Sequence, residues 1–392
     1  MFNIPYTRNF LSIAIVILLI IITVPLATNA ASLPVDYTNI LTNSFPDVIQ
    51  VGIVLPIQNT RWEKDGALIS EELDLAGYTS QVLFSEGNSI TEKTNVDALI
   101  SQGIEVLIFC PHEATVAAAA AVEAHNAGVK VISHDRLIRD TDAVDFYVTF
   151  DSIDVGEAQG QYLIDKSSGL SNPLYLYAGA PTDNNSFLFF EGAWNILQPK
   201  IADGTFIIKN SSEAIALQDK TILTRSEIGQ IIDQITTNWD STTAAALAQS
   251  NLAAVTAADK GNVFILGPND STARAIADVF AADNDVISYL ITGQDAEQAS
   301  VQYIIDGKQS MTVFKDMRTI AKESAAASIT YLQGGTPVAT TTYNNGAIDV
   351  PSKPVAPIVV DKYNIVPVLI DSGYYKFDDF NWPTVYLPLV RR

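Results

Sequence analysis

The sequence predicts an α/β protein with two doubly wound parallel-sheet lobes, and three observations carry that prediction. From Val48 onward, short apolar runs of strand type alternate with amphipathic stretches of helical type, the pattern of parallel strands joined by crossover helices. The rhythm breaks at DFYVTFDS (145–152), and a second alternating set begins at Val155. Seven short polar clusters punctuate the chain, and six of them follow strand-like runs. In an open parallel sheet, that is where the loops of the ligand crevice lie.

Each element has its own signal. VIQVGIVL (48–55) reads as the first strand, and Arg61–Ala76 as an amphipathic helix stopped by Gly77. QVLF (81–84) is the next strand. In TEKTNVDALISQG (91–103), Val96, Leu99 and Ile100 share one helical face and Gly103 ends it. EVLIF (105–109), the Ala-rich stretch 114–128 and VKVIS (129–133) complete the first set. The second set holds the helix GEAQGQYLIDK (156–166), strand LYLYAGA (174–180), a helix around Phe187–Leu197 and strand TFIIK (205–209). A long helix after Trp239 and strands NVFILG (262–267) and VISYLITG (286–293) follow. SMTVFK (310–315) carries the chain back, and the helix through Ile320–Leu332 rejoins the first lobe. The expected layout is a first lobe of 47–150 plus 316–336 and a second lobe of 151–313. Hinge crossings are expected near 149–154, near 312–316 and after Gly334. The tail 337–392 is expected to pack along the outside, with PIVV (357–360) as a short strand.

The first thirty residues stand apart. Arg8 precedes an almost wholly apolar run from Phe10 to Leu26, then ATNA, which describes a secretory signal cut before Ala31. The run also reaches the lower length limit for a membrane anchor, so a tethered form is the alternative. With 23 basic and 44 acidic residues, the formal charge of −21 sets the chain against nucleic acid and anionic membrane. The 48% hydrophobic content excludes a disordered acidic tail. The single cysteine, Cys110, ends an apolar run; it is expected to be a buried inert thiol and forms no internal disulfide.

The polar clusters are Arg61-Trp62, Asp135-Arg136, Asp183-Asn184-Asn185, Trp239-Asp240, Asn269-Asp270, Gln294-Asp295 and Lys315. Each sugar hydroxyl donates once and accepts twice, so carboxylates facing amides and cations satisfy it. The apolar C–H faces of a pyranose pack on indoles. These clusters therefore make a receptor for a polyhydroxylated ring. Asp183 and Asp240 are expected as helix caps and Asp270 as a structural residue, with Asn269 facing ligand. Lys315 is either a direct contact or a hinge salt-bridge partner, and His134 is expected to position Asp135. His112, His125 and His134 form no metal motif. VLPIQNTRW stands where a Gly-rich phosphate loop would be, so neither cofactor nor metal is expected. Arg61, Arg136 and Lys315 would keep nearby carboxylates ionised, which argues against a glycosidase needing a raised general acid.

The stretches RWEKD (61–65), HDRLIRDTDAVDFYVTFD (134–151), GAPTDNN (179–185), GPND (267–270), TGQDAE (292–297) and MTVFK (311–315) occur in a familiar order. With the tail NNGAIDVPSKPVAPIVVDKYNI (344–365), the chain resembles the type I periplasmic sugar-binding proteins of ABC importers. The likeness is greatest to the xylose-binding proteins and their glucose- and galactose-accepting relatives. It implies two lobes joined by a three-segment hinge, a monomer, a monosaccharide ligand and a membrane permease as partner. A chemoreceptor or sensor kinase is the alternative partner. It further implies that Arg61 supplies a guanidinium and Trp62 a stacking face, and that Asp135 and Arg136 bind adjacent hydroxyls. Asn184, Asn185, Asn269, Asp295 and Lys315 complete the polar ring, and Trp239 gives the second stacking face. Segments 205–238 and 251–262 depart from the family pattern, as do His112 and Glu113 after Cys110-Pro111.

Overall fold

The computed structural model describes residues 48–383. The expected export signal (1–30) lies outside the described residues. In chain order the first lobe begins with β1 (Val51–Leu55), α1 (Thr60–Leu75), β2 (Ser80–Phe84), α2 (Ser89–Ser101), β3 (Val106–Phe109), α3 (Ala118–Asn126), β4 (Lys130–His134) and β5 (Phe146–Phe150). The second lobe runs through α4 (Ser152–Lys166), β6 (Asn172–Leu176), α5 (Asn184–Ala202), β7 (Phe206–Ile208), α6 (Ser212–Ala216), α7 (Arg225–Ile235) and α8 (Ser241–Ala253). It continues with β8 (Gly261–Leu266), α9 (Asp270–Ala282), β9 (Val286–Ile291), α10 (Gln298–Ile305) and β10 (Met311–Phe314). The chain ends in α11 (Met317–Leu332), β11 (Thr341–Asn344), β12 (Asp349–Val355) and β13 (Ile358–Asp361).

The first sheet has the order β11-β12-β5-β4-β3-β1-β2. All its pairs are parallel except the edge pair β11–β12. The second sheet, β7-β6-β8-β9, is wholly parallel. Strand order reverses between β1 and β3 in one lobe and between β6 and β8 in the other. The crevice above each reversal is where side chains from diverging loops can meet a ligand. Strands β1, β3 and β5 are buried along their whole length, as expected for central strands covered by helices on both faces.

The tail differs from expectation. It does not lie along the outside: β12 pairs with β5 and β11 closes that edge, so residues 341–355 complete the first sheet. The PIVV strand exists as β13, paired antiparallel with β10. The chain passes from the first sheet to β13 at Ala356-Pro357, so the third crossing lies after Gly334 and beyond β12. Pro351 and Pro354 carry no N–H to reveal a strand in the sequence, yet β12 accommodates both. Helix α11 packs Ile320, Ala321 and Ala325 into the first lobe's core with Ile53, Ile108 and Val148. Helices α4 and α5 approach so closely that a Cβ at Gly156 would stand 1.9 Å from the Phe189 carbonyl oxygen. Only glycine fits there, and this contact fixes the start of α5 against the hinge.

Candidate ligand-binding cleft

Between the lobes lies a cavity of about 340 Å³, at the lower end of the roughly 300–1,000 Å³ typical of small-molecule sites. Its walls are built from the loops at the strand reversals. After β1, the Asn59 side chain caps α1 by accepting from the Trp62 N–H at 3.0 Å. This places Arg61 and Trp62 in the first turn, facing the cavity. Arg61 donates through Nη2 to Asp135 Oδ2 at 2.6 Å, and its Nη1 lies 3.8 Å from Asp295 Oδ1. Trp62 is both core and wall: it packs with Ile53 and Leu55 and also lines the cavity. The guanidinium of Arg61 sits 4.3 Å from its ring centroid, a cation–π contact.

Asp135 follows β4 with φ of 58°, a left-handed conformation that costs free energy and needs support. Tyr147 Oη, Thr149 Oγ1 and Asn185 Nδ2 all donate to its carbonyl oxygen, at 2.8, 2.9 and 3.0 Å. His134, just before it, is fully buried between Asp65 Oδ2 at 2.7 Å and Ser324 Oγ at 2.8 Å. It ties β4 to α1 and α11 without lining the cavity. Arg136 crosses the cleft, with Nε 3.0 Å from Asp183 Oδ2, and its Nη1 donates to the Pro111 and His112 carbonyls.

In the second lobe Asp183 caps α5, accepting from Asn185 N–H at 2.9 Å. Asn185 lines the cavity, but its neighbour Asn184 does not. Asn184 turns away, and its Oδ1 accepts from Arg139 Nη1 at 3.1 Å and Arg225 Nη1 at 2.9 Å. The expectation that both asparagines join the polar ring is corrected: adjacent residues at a helix start point about 100° apart, so only one faces the cleft. Asp240 caps α8 by accepting from Thr243 N–H at 2.7 Å. The preceding turn, with Asn238 and Trp239 both at positive φ, swings the Trp239 indole over Gly179. A Cβ at Gly179 would lie 2.0 Å from Trp239 Cζ2, which explains the glycine in GAPTDNN. Trp239 also meets Phe189 edge to face, with centroids 6.4 Å apart.

Asn269 lines the cavity, its amide donating to Ser271 Oγ at 3.0 Å. Asp270 is fully buried behind it and accepts from Gln309 Nε2, Thr312 Oγ1 and Glu297 N–H. Asp295 has φ of 100°, and Lys315 Nζ lies 2.7 Å from its Oδ1. Lys315 is thus a hinge salt-bridge partner that also lines the cavity. Several wall residues escaped the sequence reading, among them Asn59, His112, Phe189, Ser271 and Glu297. Phe189 was within reach: it is four residues after Asn185 and so on the same face of α5. His112 follows the end of β3, the kind of position that marked the other clusters.

Electrostatics fixes the protonation of this ring. Burial favours the neutral form of Asp135, but Arg61, then Lys315, His134 and Arg136 outweigh it and hold its pKa well below the usual carboxylate range. Asp295 follows the same balance, with burial overcome by Lys315 and Arg61. For Arg61 burial is likewise outweighed, chiefly by Asp135 and Asp295, and its pKa is raised. Both carboxylates are therefore ionised acceptors, and neither can serve as a general acid at neutral pH.

Residues 51–336 match the family model described as the Periplasmic binding protein domain. A carbohydrate transporter solute-binding protein from Chloroflexus aurantiacus, solved in complex with D-glucose, is 63% identical with a TM-score of 0.83. That match covers 84% of this chain and 98% of the other. The multiple sugar-binding periplasmic receptor ChvE of Rhizobium radiobacter is 33% identical, over 84% of this chain and 91% of its own. The D-xylose-binding periplasmic protein of Escherichia coli is 30% identical, over 86% and 94% respectively.

Proposed function

From the premise that the chain belongs to the periplasmic binding protein domain family, we propose that it captures a monosaccharide of the glucose type between its lobes. In this reading it then delivers the sugar to the permease of an ABC importer. The chain is a sugar-binding protein, not an enzyme, and it works outside the cytoplasm, as its periplasmic relatives do. Residues 1–30 supply the export signal in this proposal.

One observation carries the reading: ionised acceptors, cationic and amide donors and indole faces from both lobes converge on a single-ring-sized cavity. Asp135 and Asp295 accept from sugar hydroxyls, while Arg61, Arg136, Asn185, Asn269 and Lys315 donate to them. Trp239 and Trp62 supply apolar faces for the ring C–H groups. Arg61, Trp62, Asp135 and Arg136 come from the first lobe. Asn185, Trp239, Asn269 and Asp295 come from the second, with Lys315 at the hinge. A sugar held by both sets lowers the free energy of the closed arrangement relative to the open one, and closure follows as a population shift. D-glucose is the preferred sugar of this proposal, supported by the glucose complex of the Chloroflexus protein.

Calorimetric titration of the mature protein with D-glucose, D-galactose and D-xylose tests it. Saturable one-site binding with D-glucose tightest is expected. Heat of dilution alone for all three sugars would overturn the reading.

A further inference from the structure

Asn184 lies outside the cleft, and its surroundings carry an inference that rests on the sugar-binding reading above. Its amide oxygen is 3.1 Å from Arg139 Nη1 and 2.9 Å from Arg225 Nη1, and the residue is 3% exposed. The two guanidinium groups come from different lobes. Arg139 stands on the β4–β5 loop, fixed to the first lobe by its own N–H donating to Ala114 O at 2.8 Å. The fully buried Asn345 side chain holds the same loop by donating to the Ile138 and Thr141 carbonyls. Arg225 opens α7 in the second lobe, behind the capping box of Thr224 and Glu227. Its guanidinium lies 3.9 Å from the ring centroid of Phe187. Beside this joint, Ala114 N–H donates to Thr182 O at 3.0 Å across the same gap.

We infer that the Arg139–Asn184–Arg225 joint is a closure latch, a set of positioning residues that favours the closed arrangement equally for every sugar. A hydrogen bond between lobes exists only when they meet, so its free energy adds to the closed state whatever the ligand. Asn184 touches no part of the cavity, so it has no means to distinguish one sugar from another. Burial and then the charge of Arg139 bring the Arg225 pKa down to about 10, so the two guanidinium groups disfavour each other across the joint. A neutral amide oxygen shared by two guanidinium groups leaves room for improvement. A carboxylate at this position would accept charge-assisted bonds from both.

Titrations of Asn184→Ala, Asn184→Asp and Arg139→Ala with D-glucose and D-xylose test the latch, with small-angle scattering of each free protein. Asn184→Ala and Arg139→Ala are expected to weaken both sugars by a common factor, up to about tenfold, and to shift the free protein toward the open form by the fraction that was closed. Asn184→Asp is expected to tighten both by a common factor. A changed ratio between the two sugars would show that Asn184 reads the ligand and would overturn the inference. So would unchanged affinities and unchanged scattering in folded variants. If the wild-type protein binds neither sugar, the sugar reading falls instead, and scattering alone decides the latch: a free protein expanded in Asn184→Ala or compacted in Asn184→Asp supports it, and identical scattering of all three overturns it.

Discussion

Asp295 shows how much one side chain carries in this cleft. Its carboxylate is paired with the Lys315 ammonium at 2.7 Å and lies 3.8 Å from the Arg61 guanidinium. Asp295→Ala removes a proposed sugar contact and leaves the buried Lys315 cation without its ion-pair partner, while Arg61 keeps Asp135. Truncating one member of such a group costs about 2–5 kcal/mol, so D-glucose affinity should fall by about 30-fold or more. Circular dichroism should show the fold intact; retained wild-type affinity would place the pocket elsewhere. Gly179→Ala tests the second stacking face without touching any polar group. The added Cβ would overlap the Trp239 ring, and relieving such overpacking costs about 1–3 kcal/mol. The expected result is about tenfold weaker binding, read by calorimetry. At this scale the sequence revealed residue type well and direction poorly. Asp135, Asn185 and Asp295 line the cavity as their clusters suggested. Asn184 does not, because a dipeptide motif says nothing of which member a helix start will turn inward. The conformations that aim Asp135 and Asp295, with φ of 58° and 100°, belong to loop geometry that no residue preference announces.

Elements place these side chains, and α2 shows how one is held. Glu92, in its first turn and 1% exposed, accepts from the His112 backbone N–H at 2.6 Å. It thereby pins the loop after β3 at the cavity rim. Burial pushes its pKa up to about 7, opposed by that hydrogen bond and by Arg136. An unfolded glutamate titrates near 4.3, so the folded state holds this proton more tightly. The stability it contributes is fully present below the unfolded value and is lost as pH rises through about 7. Glu92→Gln should abolish that loss, on the order of 3 kcal/mol at most, in denaturant melts compared at pH 5 and pH 8. Parallel pH profiles of wild type and variant would contradict it. Most strands and helices were legible because alternation and helical spacing are strong signals. Helix α7, with its TRSE capping box and buried Ile228, Ile231, Ile232 and Ile235, was equally readable in principle. It lay in a stretch that departs from the family pattern and so drew no assignment. β12 was hidden for a different reason: DVPSKPV carries two prolines and no run of apolar residues, and only the neighbouring β5 makes it a strand.

For the whole molecule, the two-lobed architecture followed from the break in the alternation at β5, while the routing of the tail did not. Residues 341–355 complete the first sheet and β13 pairs with β10 of the second lobe, so the tail ties both lobes together. Such long-range pairing leaves no local trace in the sequence. The cleft is walled in part by two carboxylates, Asp135 and Asp295, that stay ionised, which sets part of the pH response of the molecule. The pKa of Asp135 and of Asp295 is depressed, so their contribution is present above the unfolded value near 3.9. It is lost only as pH falls through the lower folded values. Asp135 and Asp295 should therefore add no pH dependence to D-glucose affinity between pH 5.5 and 8; a tenfold change measured by calorimetry across that window in Glu92→Gln, which removes the group titrating near 7 at the rim, would mean that a cleft carboxylate titrates. In the proposed complex the sugar sits between the lobes against the Trp239 indole. Intrinsic tryptophan fluorescence during D-glucose titration tests it most directly, with wild type compared against Trp239→Phe. A saturable change at micromolar sugar, largely lost in the variant with weakened binding, is the predicted result. An identical response and affinity in Trp239→Phe would contradict the account.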